Sequence, residues 1–184
     1  MSALPMSSIH MSGLKGSLHV CSLARVPQML RETGARSLVT LLDSGTPAPR
    51  PAEIAPERHL RVALSDIVTV MDGHVLPAEA HVAAIIDFAQ AWDRAAPMLI
   101  HCYAGVSRST AAAFIAACAL NPRRDEFDLA GILRLRSPTA TPNARMVEIA
   151  DLMLRRKGRM SAAIRGIGRG ADCFEGAPFA LELS

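Results

Sequence analysis

A cysteine and an arginine frame a short loop that is suited to nucleophilic chemistry. Cys102 follows the apolar run 97–100, and Arg108 precedes the alanine-rich run 111–113. This pattern predicts a strand, a tight loop and a helix in succession. Amide N–H groups of a loop at a helix N-terminus bind anions, and the same positive field stabilises a cysteine thiolate. The sequence therefore predicts that Cys102 attacks a bound oxyanion.

The residues around Cys102 complete this predicted anion site. The planar guanidinium of Arg108 is able to bind two phosphate oxygens at once, and Ser109 is able to donate a hydrogen bond to the departing sulfur. A buried, inert cysteine is the alternative for an isolated Cys, and the surrounding pattern disfavours it. We expect no metal and no cofactor, because the loop already neutralises the phosphate. The residues expected to bind phosphate through the loop are Tyr103, Ala104, Gly105, Val106, Ser107 and Arg108.

The elements that must position the loop alternate between strands and helices. Strands are predicted at 17–21, 37–42 and 59–64 and directly before Cys102, and helices at 23–33, 77–94, 108–120, 125–136 and 143–156. Alternation of this kind predicts an α/β fold, a three-layer-like sandwich with a central, largely parallel sheet flanked by helices. Residues 1–15 are interpreted as a leader, 16–157 as the domain, and 158–184 as a tail that packs on the domain or extends from it.

The loop motif resembles a known family. His101, Cys102, Gly105, Arg108 and Ser109 match His-Cys-x5-Arg-Ser/Thr, the active-site loop of the cysteine-dependent protein tyrosine phosphatase superfamily. The opening 16–23 and the Pro-Asn connector at 142–143 are similar to its compact dual-specificity branch, and the overall similarity suggests a bacterial-type member. The resemblance implies a protein tyrosine phosphatase-like fold and a phosphocysteine intermediate. It also implies that His101 orients the loop and favours the thiolate.

The same superfamily uses an aspartate on a separate loop as general acid, and two residues fit. Asp66 directly follows a predicted strand, which would hold its position firmly. Asp72 stands beside Gly73 in a freer loop and fits an ordinary turn aspartate equally well. We favour Asp66, and Asp72 stays open as the alternative. The loop 68–76 is longer than the compact branch usually has, and it is a candidate wall of the substrate mouth.

Two further polar residues lie near the predicted sheet edge. Asp43 ends the strand 37–42 and is interpreted as structural. Asn143 fits either a helix N-cap or a brace for the acid loop or the cysteine loop. These two interpretations of Asn143 remain equally open.

Composition narrows the class of protein. The four cysteines show no paired spacing, which indicates free thiols and a cytoplasmic, reducing setting. No apolar run approaches the roughly 20 residues of a membrane span, and the N-terminus does not have the pattern of a secretory signal. The net charge is +3 with arginines clustered after residue 123, but aromatics are too scarce among them to favour a nucleic acid partner. His74 and His81 lack the spacing of a metal site.

The absence of certain residue types in and before the loop limits the class of substrate. No lysine or arginine lies between Cys102 and Arg108, which disfavours a polyanionic inositol headgroup, and no aromatic residue precedes Phe88. We therefore expect a shallow pocket for phosphotyrosine, phosphoserine, phosphothreonine or small phosphomonoesters. The predicted function is phosphomonoester hydrolysis, on a phosphorylated protein or a small phosphomonoester. A catalytically silent phosphate-binding module and a sulfurtransferase-like enzyme remain alternatives, and the oligomeric state is left open.

Overall fold

The computed structural model describes residues 16–183, and its centre is a five-stranded sheet. The predicted leader, 1–15, lies outside the described residues. The strand order is β3-β2-β4-β1-β5; the first four strands are parallel, and β5 runs antiparallel to β1. The α/β fold with a largely parallel sheet is thereby confirmed. The strands are β1 (Ser17–Ser22), β2 (Ser37–Leu42), β3 (His59–Ala63), β4 (Met98–Cys102) and β5 (Phe179–Glu182).

Helices cover both faces of the sheet, which gives the predicted sandwich. The first helix, α1, packs on one face with Leu38 and Leu99, and the other helices pack on the opposite face. Each predicted helix is present, although Pro77 lies before α2 rather than in its first turn. The helices are α1 (Val26–Thr33), α2 (Glu79–Ala91), α3 (Arg108–Leu120), α4 (Glu126–Arg136), α5 (Ala144–Met153) and α6 (Arg159–Ile167). No helix in 16–183 is both long and apolar enough to cross a membrane.

The helix α3 lies at the centre of the domain. Eleven of its thirteen residues are buried, from Arg108 to Cys118. It contacts β1 and β4 as well as α2, α4 and α5, and its alanines let it approach the sheet closely. Because Cys102 ends β4 and Arg108 begins α3, the loop between them is anchored at both ends by the core.

The region predicted as a tail folds into two further elements. The helix α6 packs against α4 and α5, and β5 pairs with β1 at the edge of the sheet. No clear pattern in the sequence indicates them, because α6 is short and flanked by Gly158 and Gly168, and β5 has only four residues. The connection 168–178 between them runs beside the loop that follows Cys102, where Gly176 meets Ala104.

Candidate active site

The sulfur of Cys102 lies at the floor of the loop with two hydrogen-bonding groups close to it. The Gly105 N–H donates to Cys102 Sγ over 3.3 Å, and the Ser109 hydroxyl oxygen lies 3.1 Å from the same sulfur. Cys102 is buried. Both groups are placed to stabilise a negative charge on sulfur.

The carbonyl oxygens of the loop are held on its outer side by backbone donors from three different segments. Because a trans peptide is planar, a carbonyl held outward turns the N–H of the same peptide inward. The inward groups are the N–H groups of Ala104, Gly105, Ser107 and Arg108, and they form an anion-binding nest. The outer contacts are Leu23 N–H to Tyr103 O at 3.2 Å, Gly176 to Ala104 at 2.9 Å, Thr141 to Val106 at 2.9 Å, and Asn143 to Ser107 at 3.4 Å.

Gly105 occupies a position in the loop that admits no side chain. Its φ is +73°, which favours glycine. An added Cβ would also lie 2.8 Å from the backbone carbon of Cys21 and from the nitrogen of Ser22. The glycine therefore lets the loop lie directly against the end of β1.

Arg108 is buried and anchored by one nitrogen of its guanidinium group. Its Nη1 donates to Leu64 O at 2.9 Å and to Asp43 Oδ2 at 3.1 Å. Its Nε has no hydrogen-bond partner among residues 16–183. The anchor thus leaves Nε available for an oxygen of a bound anion.

Asp43 contacts Arg108, a contact that the sequence interpretation did not include. A hydrogen bond from Ser65, together with the neighbouring Arg108, lowers the pKa of the Asp43 carboxyl, although partial burial acts the other way. The signal available in the sequence was its position, since the carboxyl ends of parallel strands meet at one edge. Its contact with Arg108 requires β2 and β4 to be adjacent, which the sequence alone does not state.

His101 lies behind the loop. Burial lowers the pKa of His101 to about 4, so the ring is neutral at pH 7 and adds no positive charge to the site. Its Nε2 lies 2.8 Å from Thr40 Oγ1, which is itself 2.9 Å from His59 Nε2. These contacts fix the ring orientation at the end of β4.

Asp66 lies beside the loop, three residues after the end of β3. Its Oδ1 accepts hydrogen bonds from Ser107 Oγ at 2.6 Å and from Asn143 Nδ2 at 2.9 Å. Asn143 also caps α5 by accepting from Met146 N–H at 3.1 Å, so both interpretations of Asn143 are confirmed. Asp72 lies in an exposed turn with Gly73, where no hydrogen bond to the loop is found among the described residues.

Two cavities open on either side of the loop. One of about 630 Å³ is lined by Asp66, Ser107 and Asn143, and by Val68 and Met71 from the long loop 68–76. The other, of about 450 Å³, is lined by Tyr103, Ala104 and Phe174 among others. Phe174 is fully exposed, and it reaches the loop from the connection 168–178. Phe174 therefore brings a second aromatic side chain to the cavity beside Tyr103, and it comes from the C-terminal region rather than from the N-terminal loops.

Cys21 and Cys118 do not join this site as thiolates or disulfide partners. Cys21 packs with Leu38 and Leu99 on the face of the sheet opposite to Cys102. Burial raises the pKa of Cys21 and of Cys118 to about 12 in each case. All four cysteines are free, and in residues 16–183 no group of three His, Cys, Asp or Glu side chains is suited to a metal ion.

Comparison with known proteins gives structural matches and no sequence matches. No protein-family profile and no curated protein matches the chain. The crystal structure of DUSP15 is 18% identical, covers 85% of this chain and 92% of its own, and has a TM-score of 0.57. Human DUSP28 is 20% identical, with coverages of 76% and 89% and a TM-score of 0.58. PTPMT1 in complex with PI(5)P is 12% identical, with coverages of 78% and 93% and a TM-score of 0.58. The chain therefore has the same fold as these phosphatase structures.

Proposed function

We propose that the protein is a cysteine-dependent phosphatase of the tyrosine or dual-specificity type. One observation carries the proposal: Gly105 N–H and the Ser109 hydroxyl both lie at Cys102 Sγ, while Nε of Arg108 has no hydrogen-bond partner among the described residues. A nest of amides and a buried guanidinium nitrogen without a partner in residues 16–183 suit a dianionic phosphate. No metal or cofactor is part of the proposal.

The first step forms a phosphocysteine. The Cys102 thiolate attacks phosphorus, and the bond from phosphorus to the leaving oxygen breaks. The inward amides and Arg108 stabilise the charge on the equatorial oxygens in the transition state. Asp66 transfers its proton to the leaving oxygen; its Oδ1 is held by Ser107 and Asn143, so Oδ2 is available to carry that proton.

The second step releases phosphate. Asp66, now a carboxylate, takes a proton from water as the water oxygen attacks phosphorus. The bond between sulfur and phosphorus breaks, and Ser109 stabilises the returning thiolate by donating its hydroxyl hydrogen. His101, neutral behind the loop, acts as a positioning residue for Cys102.

The proposed substrate is a phosphorylated protein side chain, phosphotyrosine included, or a small phosphomonoester. The two cavities flanking the loop leave room for the organic part of such a substrate. PTPMT1, one of the similar structures, holds PI(5)P. This chain has no lysine or arginine between Cys102 and Arg108, and Arg169 in the larger cavity is paired with Asp172 at 2.6 Å. The proposed substrates therefore do not include an inositol phosphate. The free cysteines suit a reducing, cytoplasmic setting.

Hydrolysis of p-nitrophenyl phosphate by the wild type and by Cys102→Ser tests the proposal. We expect turnover by the wild type only, with phosphate trapped on Cys102 after a rapid acid quench. Absence of wild-type turnover, with inorganic phosphate still bound, would favour the silent phosphate-binding module. Transfer of sulfur from thiosulfate to cyanide in place of phosphate release would favour the sulfurtransferase.

A further inference from the structure

We propose that the connection 168–178, between α6 and β5, helps to hold the phosphate-binding loop in its active shape. Gly176 is the positioning residue of this connection. The inference rests on the proposed function and deepens it. The residues that carry the resemblance, 16–23, 101–109 and 142–143, do not include this segment. Gly176, which lies in the predicted tail, contacts the loop between Cys102 and Arg108.

The carrying observation is a pair of hydrogen bonds on one peptide group. The carbonyl of Ala104 accepts from Gly176 N–H over 2.9 Å, and the N–H of the same peptide, that of Gly105, donates to Cys102 Sγ over 3.3 Å. Because the peptide is planar and trans, its carbonyl and its N–H point in opposite directions. The donor from Gly176 on the outside therefore fixes the N–H that faces the sulfur on the inside.

Gly176 is buried within an otherwise exposed segment, and its lack of a side chain is required. A Cβ at this position would lie 2.9 Å from Gly105 O and 3.3 Å from a methyl carbon of Val106. The Gly105 oxygen is backbone and has little freedom to move, because Gly105 itself lies against β1. A side chain at 176 would therefore push the segment away from the loop.

The segment is fastened at two points that precede its contact with the loop. The carboxylate of Glu175 accepts from Ser22 Oγ at 2.5 Å and from Arg25 Nε at 3.4 Å. At the other end, Gly170 N–H donates to Thr141 Oγ1 at 3.1 Å and Ala171 N–H to Pro138 O at 3.0 Å. The turn after β1 and the connector before α5, which supply the other outer donors to the loop, are thus both tied to this segment.

A mechanical consequence follows for the thiolate. If the segment moves away, the peptide between Ala104 and Gly105 is free to rotate, and Cys102 loses one hydrogen-bond donor. Thiolate formation then requires a higher pH, even when the fold is retained. A role limited to supporting β5 would lower thermal stability and leave the pH dependence of Cys102 unchanged.

The test compares Gly176→Ala with Gly166→Ala. Gly166 lies in α6, where an added Cβ meets only Phe127 at 4.0 Å, so this control makes the same chemical change without a clash. The measurements are kcat and KM for p-nitrophenyl phosphate, and the rate of Cys102 alkylation by iodoacetate against pH. Peptide mass spectrometry separates Cys102 from the exposed Cys173.

We expect Gly176→Ala to lower kcat/KM by about 10- to 100-fold and to move the alkylation profile to higher pH, with Gly166→Ala like the wild type. Identical alkylation profiles for both variants would overturn the inference. Alkylation needs no turnover, so the alkylation profile reports on Gly176 even if the wild type proves inactive. An inactive wild type would contradict only the proposed phosphatase function.

A second pair of variants covers the case in which Gly176→Ala does not fold. Ser22→Ala and Glu175→Ala each remove one side of the same hydrogen bond. If Glu175 holds the segment through Ser22, the two effects on the alkylation profile are not additive in the double variant. Two independent shifts, or no shift in either, would contradict the proposed fastening.

Discussion

Arg108 at the start of α3 and Asp43 at the end of β2 form an ion pair of 3.1 Å beside the anion nest. Arg108 is buried and Asp43 is half-exposed. The carboxylate therefore partly neutralises the arginine in the absence of a bound anion, and the arginine still carries charge that an anion can meet. The pair holds Nη1 and thereby sets the direction of the remaining guanidinium nitrogens. We therefore expect Asp43 to act on the proposed phosphate site through Arg108.

Replacing Asp43 should weaken anion binding more than it weakens the fold. Asp43→Ala leaves Arg108 with only the carbonyl of Leu64 as its anchor, so the guanidinium becomes less ordered. We expect about tenfold weaker competitive inhibition by inorganic phosphate, since charge-assisted hydrogen bonds contribute about 1.5–3 kcal/mol. The control is Asp93→Ala, which removes a comparable carboxylate from the exposed pair with Arg58. Equal inhibition constants for the two variants would contradict the role of Asp43.

The choice between Asp66 and Asp72 as general acid is tested with substrates whose leaving groups differ in their need for a proton. Asp66→Ala should lower kcat for alkyl phosphates by about 100-fold or more, and much less for p-nitrophenyl phosphate, whose leaving group needs little protonation. It should also flatten the basic limb of the kcat profile against pH. Asp72→Ala is the matched control, one turn further along the same loop. If Asp72→Ala shows the leaving-group dependence instead, the assignment moves to that residue.

Stability should fall with acidification in a window set by His101. Its folded pKa of about 4 lies below the ordinary value near 6.5, so the unfolded state binds the proton more tightly. The stabilisation is present above about pH 6.5 and is lost progressively as the pH falls toward 4. We expect the free energy of unfolding to be about 2 kcal/mol lower at pH 5 than at pH 7 from this group.

Burial lowers the pKa of His19 and of His59 as well, so both act in the same direction. Urea unfolding at pH 5, 6 and 7 measures the slope, and His101→Gln should reduce it. A wild type that is equally stable at pH 5 and 7 would show that His101 is not buried in its neutral form.

The buried carboxylate of Glu126 joins α4 to α6. It accepts from Arg156 at 2.7 Å and from Arg159 at 3.0 Å. Burial alone would raise the pKa of Glu126, but the hydrogen bonds from Arg159 and Arg156 hold it below its usual value. The charge is therefore present in the folded state and fully paired.

Glu126→Ala should destabilise the protein by about 3–5 kcal/mol, because it leaves Arg156 buried and unpaired. Chemical denaturation measures the loss, with Asp128→Ala on the exposed side of the same helix turn as control, where a change within about 0.5 kcal/mol is expected. A loss for Glu126→Ala as small as that of the control would mean that water replaces the carboxylate.

Features encoded by neighbouring residues were accessible from the sequence. The loop from Cys102 to Arg108 lies between a strand and a helix that the pattern predicts, so its position needed no tertiary information. Asp66 was favoured for the same reason, since it directly follows a strand. The helix over 108–120 was bounded correctly by its small apolar residues and Asn121.

Features that depend on distant segments were not accessible. The contact of Asp43 with Arg108 follows from strand order, and strand order is not written in any local pattern. The strand β5 is stable only because β1 offers an unpaired edge to it. That pairing brings Gly176 and Phe174 to the loop, and no local pattern in the sequence indicates it.

The pairing of β5 with β1 also has a consequence for the order of assembly. The Ala104–Gly176 contact joins residues far apart in sequence, and contacts of this kind carry the largest loop-closure cost during folding. A chain in which β4 and α3 have already formed therefore holds the complete cysteine motif before its outer donor arrives. Catalytic competence would then lag behind compaction in a refolding experiment, so that activity reports the last stage of folding rather than the first.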